Sequence, residues 1–173
     1  KLYKAPREEK ALAAIYKAEE LFANDSFAQV IKIAPKIADN YGGTKAGEMA
    51  AYMSGVSYLN TGDYKKAITY LDKVDFSDHI MKVQVIGLLG DAHIELNDKK
   101  SAISKYESAY KSSKTDLSGL WWGKKLARVY ESENNWEKAL KVYESIKKDY
   151  AGSEDLGDIE KFIARAQAKV GKY

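Results

Sequence analysis

The stretch Gly55-Val56-Ser57-Tyr58-Leu59-Asn60-Thr61-Gly62-Asp63-Tyr64-Lys65-Lys66-Ala67-Ile68-Thr69-Tyr70-Leu71-Asp72-Lys73-Val74 decides the fold, because its pattern recurs along the chain. Gly55 stands three places before a large residue, Tyr58; an aromatic follows at Tyr64, then Ala67, Leu71 and Val74. Earlier, the same columns hold Ala18, Leu21, Phe27, Val30, Ala34 and Ile37. Later they hold Gly90, His93, Lys99, Ala102, Tyr106 and Ala109, then Ala127, Tyr130, Trp136, Ala139, Tyr143 and Ile146. Every column steps by 37, 35 and 37 residues. A fixed period of about 34 residues marks stacked helix–turn–helix units.

The columns have physical reasons. A small residue on the first helix lets the second helix of its repeat come close. Ala67, Ala102 and Ala139 do the same from the other side, since a close-packed interior leaves no slack there. Asp25, Gly62, Asn97 and Asn134 fill the turn column, and these types tolerate the left-handed backbone that ends a helix. Asp39-Asn40-Tyr41-Gly42-Gly43-Thr44 and Lys148-Asp149-Tyr150-Ala151-Gly152-Ser153 lie 109 residues apart, the total of the three steps. In each, an aromatic ends a helix, Gly breaks it, and Thr or Ser caps the next.

This spacing predicts nine helices, over 6–23, 26–40, 45–61, 63–74, 78–96, 98–112, 117–133, 135–149 and 153–170. The last gathers Leu156, Ile159, Phe162, Ile163, Ala166 and Val170 on one face, as a lid on a terminal repeat requires. Pro35 removes a hydrogen bond to Ile31 and is expected to kink or split the second helix.

Composition restricts function more than it names it. A chain of 173 residues suits one domain, and 2 Pro among many Ala, Lys, Glu and Leu favour helix. Charged residues make up 31%, yet the net charge is only +3, with acids interspersed among bases; no stripe for nucleic acid is built. With no Cys, disulfides, thiol catalysis and Cys-based metal sites are excluded together. No apolar run approaches a membrane span. His79 and His93 lie too far apart for a local metal pair, His93 falls in a core column, and His79 flanks a helix start. No Gly-rich phosphate loop is present, and neither Ser112-Ser113 nor Ser132 has a nucleophile's partners. No catalytic residue, metal site or cofactor is expected. Trp121-Trp122 allows two readings: both rings packed, or one in the core and one exposed as a binding anchor.

At these columns the chain resembles the tetratricopeptide repeat family. The second repeat, Gly55 to Val74, is close to the family pattern, and the fourth, Ala127 to Ile146, nearly so. The third departs at His93 and Lys99, and the first is degenerate, with Pro35 inside it. The family's usual Trp near each repeat start is replaced by Ala14, Ala51, Ile86 and Gly123. The resemblance implies an all-α, right-handed superhelix of antiparallel helix pairs forming a single domain over 1–173. Its parts are a degenerate repeat at 10–43, repeats at 46–77, 81–113 and 118–151, and a capping helix at 153–171.

The resemblance also implies a non-enzymatic scaffold that binds a protein or peptide in a concave groove lined by first helices. Carried over by register, that surface holds Tyr52, Val56, Leu59 and Asn60, then Gln84, Gly87, Asp91, Ile94 and Glu95, then Trp121, Lys124, Arg128 and Glu131. Val56, Asp91 and Arg128 stand where carboxylate-clamp members carry Asn. The alternative is a small-molecule or enzymatic groove. The opening Lys1-Leu2-Tyr3-Lys4-Ala5-Pro6-Arg7-Glu8-Glu9-Lys10 reads as the exit from a membrane anchor into a first helix; Pro6 suits the first turn, and Glu8 and Glu9 suit the positive end of the dipole. This start is similar to that of bacterial envelope proteins with one membrane helix and a periplasmic tetratricopeptide domain, a group that includes the ancillary subunit of the export translocon. It implies an anchor upstream of Lys1 and a place on the periplasmic side of the inner membrane, with a cytoplasmic location as the alternative.

Overall fold

The computed structural model describes residues 4–113 and 117–171. Among them are nine α-helices, one 3-10 turn and no strand. The helices are α1 (Lys4–Ala23), α2 (Phe27–Asn40), α3 (Lys45–Asn60), α4 (Tyr64–Leu71), α5 (His79–Glu95), α6 (Lys99–Ser112), α7 (Leu117–Ser132), α8 (Trp136–Asp149) and α9 (Ile159–Lys169), with the 3-10 turn at Glu154–Leu156. The expected exit from an anchor at residues 1–3 lies outside the described residues.

The turn column explains how one helix ends and the next begins. Asp25, Asn97 and Asn134 adopt φ of +53°, +58° and +56°, and Gly62 adopts +84°. Directly after three of them, Asp63, Asp98 and Asn135 accept hydrogen bonds from the amides of Lys66, Ser101 and Lys138. A left-handed residue thus stops one helix and a side-chain cap starts the next. Above the Gly62 turn α3 and α4 meet closely: a Cβ on Gly55 would lie 2.5 Å from Leu71 Cγ, and Leu71 is fully buried. Helix α2 runs through Pro35 unbroken, burying Val30, Ala34, Ile37 and Ala38, so the expected split does not occur.

The chain divides into two compact units, Lys1–Asn97 and Asp98–Tyr173. The boundary falls in the turn of the third repeat, so α5 belongs to the first unit and α6 to the second. In the first, α1, α2 and α3 enclose Ala11, Ile15, Val30, Ile37, Ala50 and Met53, and Leu71, Val85 and Leu89 form a smaller cluster. Helix α1 is tied to the α2–α3 turn through two charged side chains. Arg7 donates to the Asn40 carbonyl (2.9 Å), while the Glu8 carboxylate accepts from the amides of Lys45 (2.9 Å) and Ala46 (3.0 Å). Glu8 therefore caps α3, not its own helix.

In the second unit α6, α7 and α8 bury Tyr106, Trp122, Leu126, Tyr143 and Ile146, and α9 adds Ile159, Ile163 and Ala166. The closing segment corrects the expected single helix over 153–170. Ser153 begins a 3-10 turn, Gly157 takes φ +53°, and α9 starts only at Ile159. The reason is a missing glycine. At the equivalent turn, α3 follows Thr44 directly because Gly47 carries no Cβ; one placed there would collide with the Tyr41 carbonyl oxygen. The matching position after Ser153 is Leu156, whose side chain cannot take that place.

Candidate interaction surface

The predicted surface residues fall in both units. In the first, Tyr52 is half-buried, edge-on to Phe22 (6.3 Å between centroids) and Phe76 (5.6 Å), and burial pushes its phenol above the ordinary range. Asn60 ends α3 and gives its amide to the Val56 carbonyl (2.9 Å), satisfying the helix terminus. Gln84 and Asp91 are half-buried on α5, two turns apart and so on one face.

In the second unit Trp121, Lys124 and Arg128 come together. They occupy one face of α7 at spacings of three and four, and line a cleft of about 510 Å³ with Leu117, Leu120, Asp155, Asp158 and Phe162. The adjacent tryptophans divide the two roles. Trp122 is 2% exposed and stacks on Tyr106, while Trp121 is 58% exposed and Leu117, one turn earlier, 59%. Large apolar side chains left in water at i and i+4 are what a partner would cover.

The cleft's charges are not equivalent. Lys124 donates to the carbonyls of Asp155 (3.0 Å) and Leu156 (3.2 Å), holding the 3-10 turn in place. Asp158 pairs with Lys161 (2.7 Å), which holds its carboxyl below the usual range. Glu131, one turn beyond Arg128, accepts from Arg165 Nη2 at 2.6 and 2.8 Å and from Tyr143 Oη at 3.1 Å, so it fastens α9. Arg128 is exposed and makes no hydrogen bond or ion pair among the described residues. It is the cation of this face that a ligand could engage without displacing an internal partner.

Register alone reached α7 but missed the opposite wall. Phe162 stacks on Tyr143 (5.4 Å), and Asp155 and Asp158 sit on the irregular segment before α9. The sequence signal was present in Leu156-Gly157-Asp158, a glycine and a capping residue inside an otherwise apolar periodicity. Among the described residues, no group of three or more His, Asp or Glu is placed to hold a metal, and no helix is long and apolar enough to cross a membrane.

Comparison with known proteins agrees with the repeats. Two family models described as tetratricopeptide repeat match residues 50–75 and 124–151. No curated protein matches the chain. A Podosopora anserina kinesin-light-chain candidate with nearly identical TPR-like repeats is similar at 14% identity and TM-score 0.72, over 95% of this chain and 88% of that one. The MamA protein is similar at 18% identity and TM-score 0.67, over 94% and 93%. A second MamA structure gives 19% and 0.63, over 89% and 94%. At such identities the likeness is one of fold. The two matched repeats and the shared all-α helical repeat fold together support the tetratricopeptide repeat family for this chain.

Proposed function

We propose that the chain is a non-enzymatic interaction scaffold of the bacterial cell envelope, holding a protein or peptide segment against the cleft between α7 and α9. Tetratricopeptide repeats generally mediate protein–protein interaction, and this reading applies that role to one face. The observation that carries it is the pairing of exposed Leu117 and Trp121 with the uncommitted Arg128. Trp121 would supply buried apolar area, and Arg128 would orient a carboxylate through charge-assisted hydrogen bonds. Asp155 and Asp158 make the cleft mixed in sign, so binding is expected to depend weakly on salt. A place on the periplasmic side of the inner membrane belongs to the same proposal and rests on the resemblance to envelope tetratricopeptide proteins alone.

The experiment is affinity purification of the protein from its own cells, followed by binding of the recovered partner to a Trp121→Ala, Arg128→Glu double variant. Loss of at least about tenfold in affinity, with an unchanged thermal melt, is expected. Unchanged affinity in the folded variant would remove this face from the account. A periplasmic reporter fusion tests the location separately.

A further inference from the structure

On the side of α7 turned away from Trp121, the second unit holds another opening. It is a cleft of about 400 Å³ lined from α6, α7 and α8. Leu126, Val142 and the rings of Tyr110 and Tyr130 give it an apolar floor. Leu126 and Tyr130 are roughly half a helical turn away from Trp121 and Arg128 around α7, so the helix serves two separate surfaces.

The charges around this floor are unbalanced. Glu107 is the one carboxylate among the lining residues, and it is already engaged: Tyr130 Oη donates to it at 2.6 Å, and Lys111 Nζ lies 3.7 Å from its other oxygen. Burial, with Glu107 beside it, keeps the Tyr130 phenol neutral well above its ordinary range. Asp149, beside the cleft, accepts from the lining Tyr110 Oη (3.3 Å) and Ser145 Oγ (3.0 Å), so against two engaged acids stand Lys111, Lys138 and Lys141, all exposed. Lys138 Nζ rests over the Tyr130 ring at 5.3 Å, and Lys141 makes no hydrogen bond or ion pair among the described residues.

We propose that this cleft is a second docking site, taking an acidic segment of a protein partner with one apolar side chain set between its carboxylates. The apolar residue covers the Leu126 and Val142 floor, and the flanking acids meet Lys138 and Lys141. Both parts are needed. An apolar segment alone leaves the lysines unanswered, and an acidic one alone leaves the floor in water. An anionic lipid surface would answer the charge but offers no single side chain to the floor. The inference goes beyond the function assigned to the α7–α9 face, and the two stand or fall separately.

The test uses the full chain and three labelled synthetic peptides, followed by fluorescence anisotropy. One carries a phenylalanine flanked by glutamates, one the same phenylalanine flanked by glutamines, and one a serine flanked by glutamates. The first is expected to bind at least about tenfold more tightly than either other, and to weaken as ionic strength rises. Lys138→Glu with Lys141→Glu should abolish that preference, while Trp121→Ala leaves it intact. The exposed lysines should tolerate the change; if the double variant melts early, Lys141→Gln alone must still lower affinity severalfold. Equal binding of the three peptides would overturn the proposal, as would loss through Trp121→Ala alone. Sedimentation with phosphatidylglycerol vesicles, lost in the same lysine variant while no peptide binds, would overturn it in favour of lipid.

Discussion

Helices α3 and α9 follow the same turn and are held by different means. In each turn an aromatic, Tyr41 or Tyr150, bonds back to Ile37 or Ile146, and the glycine before the cap takes φ of +82° (Gly43) or +89° (Gly152). Thr44 or Ser153 then caps what comes next. After Thr44 the helix starts at once, with Gly47 against the Tyr41 carbonyl and Glu8 on the first amides. After Ser153, Leu156 prevents that approach, and the chain resets through Gly157 before α9 begins. Helix α3 is therefore anchored at its start. Helix α9 is anchored along its side, by Phe162 on Tyr143 and Arg165 on Glu131. The loosened start of α9 is also what brings Asp155 and Asp158 to the cleft opposite Trp121. A single position in the repeat decides between a continuous helix and an irregular wall of the cleft.

The sharpest way to break this comparison is Gly47→Ala. Helix propensity alone would make the change stabilising by up to about 1 kcal/mol. A collision with backbone should reverse the sign and cost about 3 kcal/mol, read from denaturant unfolding. Gly119→Ala should behave alike, because its Cβ would meet the Ser113 carbonyl and the Tyr150 hydroxyl. Stabilisation by either substitution would refute the role given to that position.

The side-anchoring of α9 can be read from alkaline unfolding. Burial, with the Glu131 carboxylate beside it, pushes Tyr143 from 10.0 up to about 12. Its folded value lies above its unfolded one, so the stability tied to the neutral phenol is whole below pH 10.0 and is lost as pH rises through about 12. The loss should be on the order of 2 kcal/mol, followed by stability measurements between those pH values. Tyr143→Phe should flatten that part of the curve; an unaltered slope would mean that Tyr143 does not hold α9 in this way.

A smaller effect tests the start-anchoring of α3. Glu8→Ala removes a carboxylate that accepts two amides, and should cost about 1 kcal/mol with no change in the alkaline limb. Smallest in energy, within about 1 kcal/mol, but most specific, is Leu156→Gly combined with Gly157→Ala. It should let α9 extend back toward Glu154, visible as helical Cα chemical shifts at residues 154–158. Unchanged shifts would assign the break to something other than Leu156.

Much of this was legible in the sequence, because repeated columns encode contacts within a helix pair. The turn residues Asp25, Gly62, Asn97 and Asn134 announced their left-handed backbone, and Gly55 its close approach. The period also placed Trp121, Lys124 and Arg128 on one face of α7. What periodicity could not carry are contacts between elements that break it. Glu8 looks like an acid serving its own helix until α1 is laid beside the α2–α3 turn. Tyr52 has a surface register, yet Phe22 and Phe76 close over it from other elements. Lys111 stands on α6 and Lys138 and Lys141 on α8, and only the fold gathers them around Leu126 and Val142.

The most direct test of the account places a photo-crosslinking benzoylphenylalanine at position 121 of the full-length protein in its own cells. A second copy carries it at position 16, where Tyr16 on α1 is more exposed still. The account predicts a discrete adduct with a partner protein from position 121 that disappears in the Arg128→Glu background, and none of that mass from position 16. Adducts from position 16 alone, or the same adduct from both positions regardless of Arg128, would contradict it.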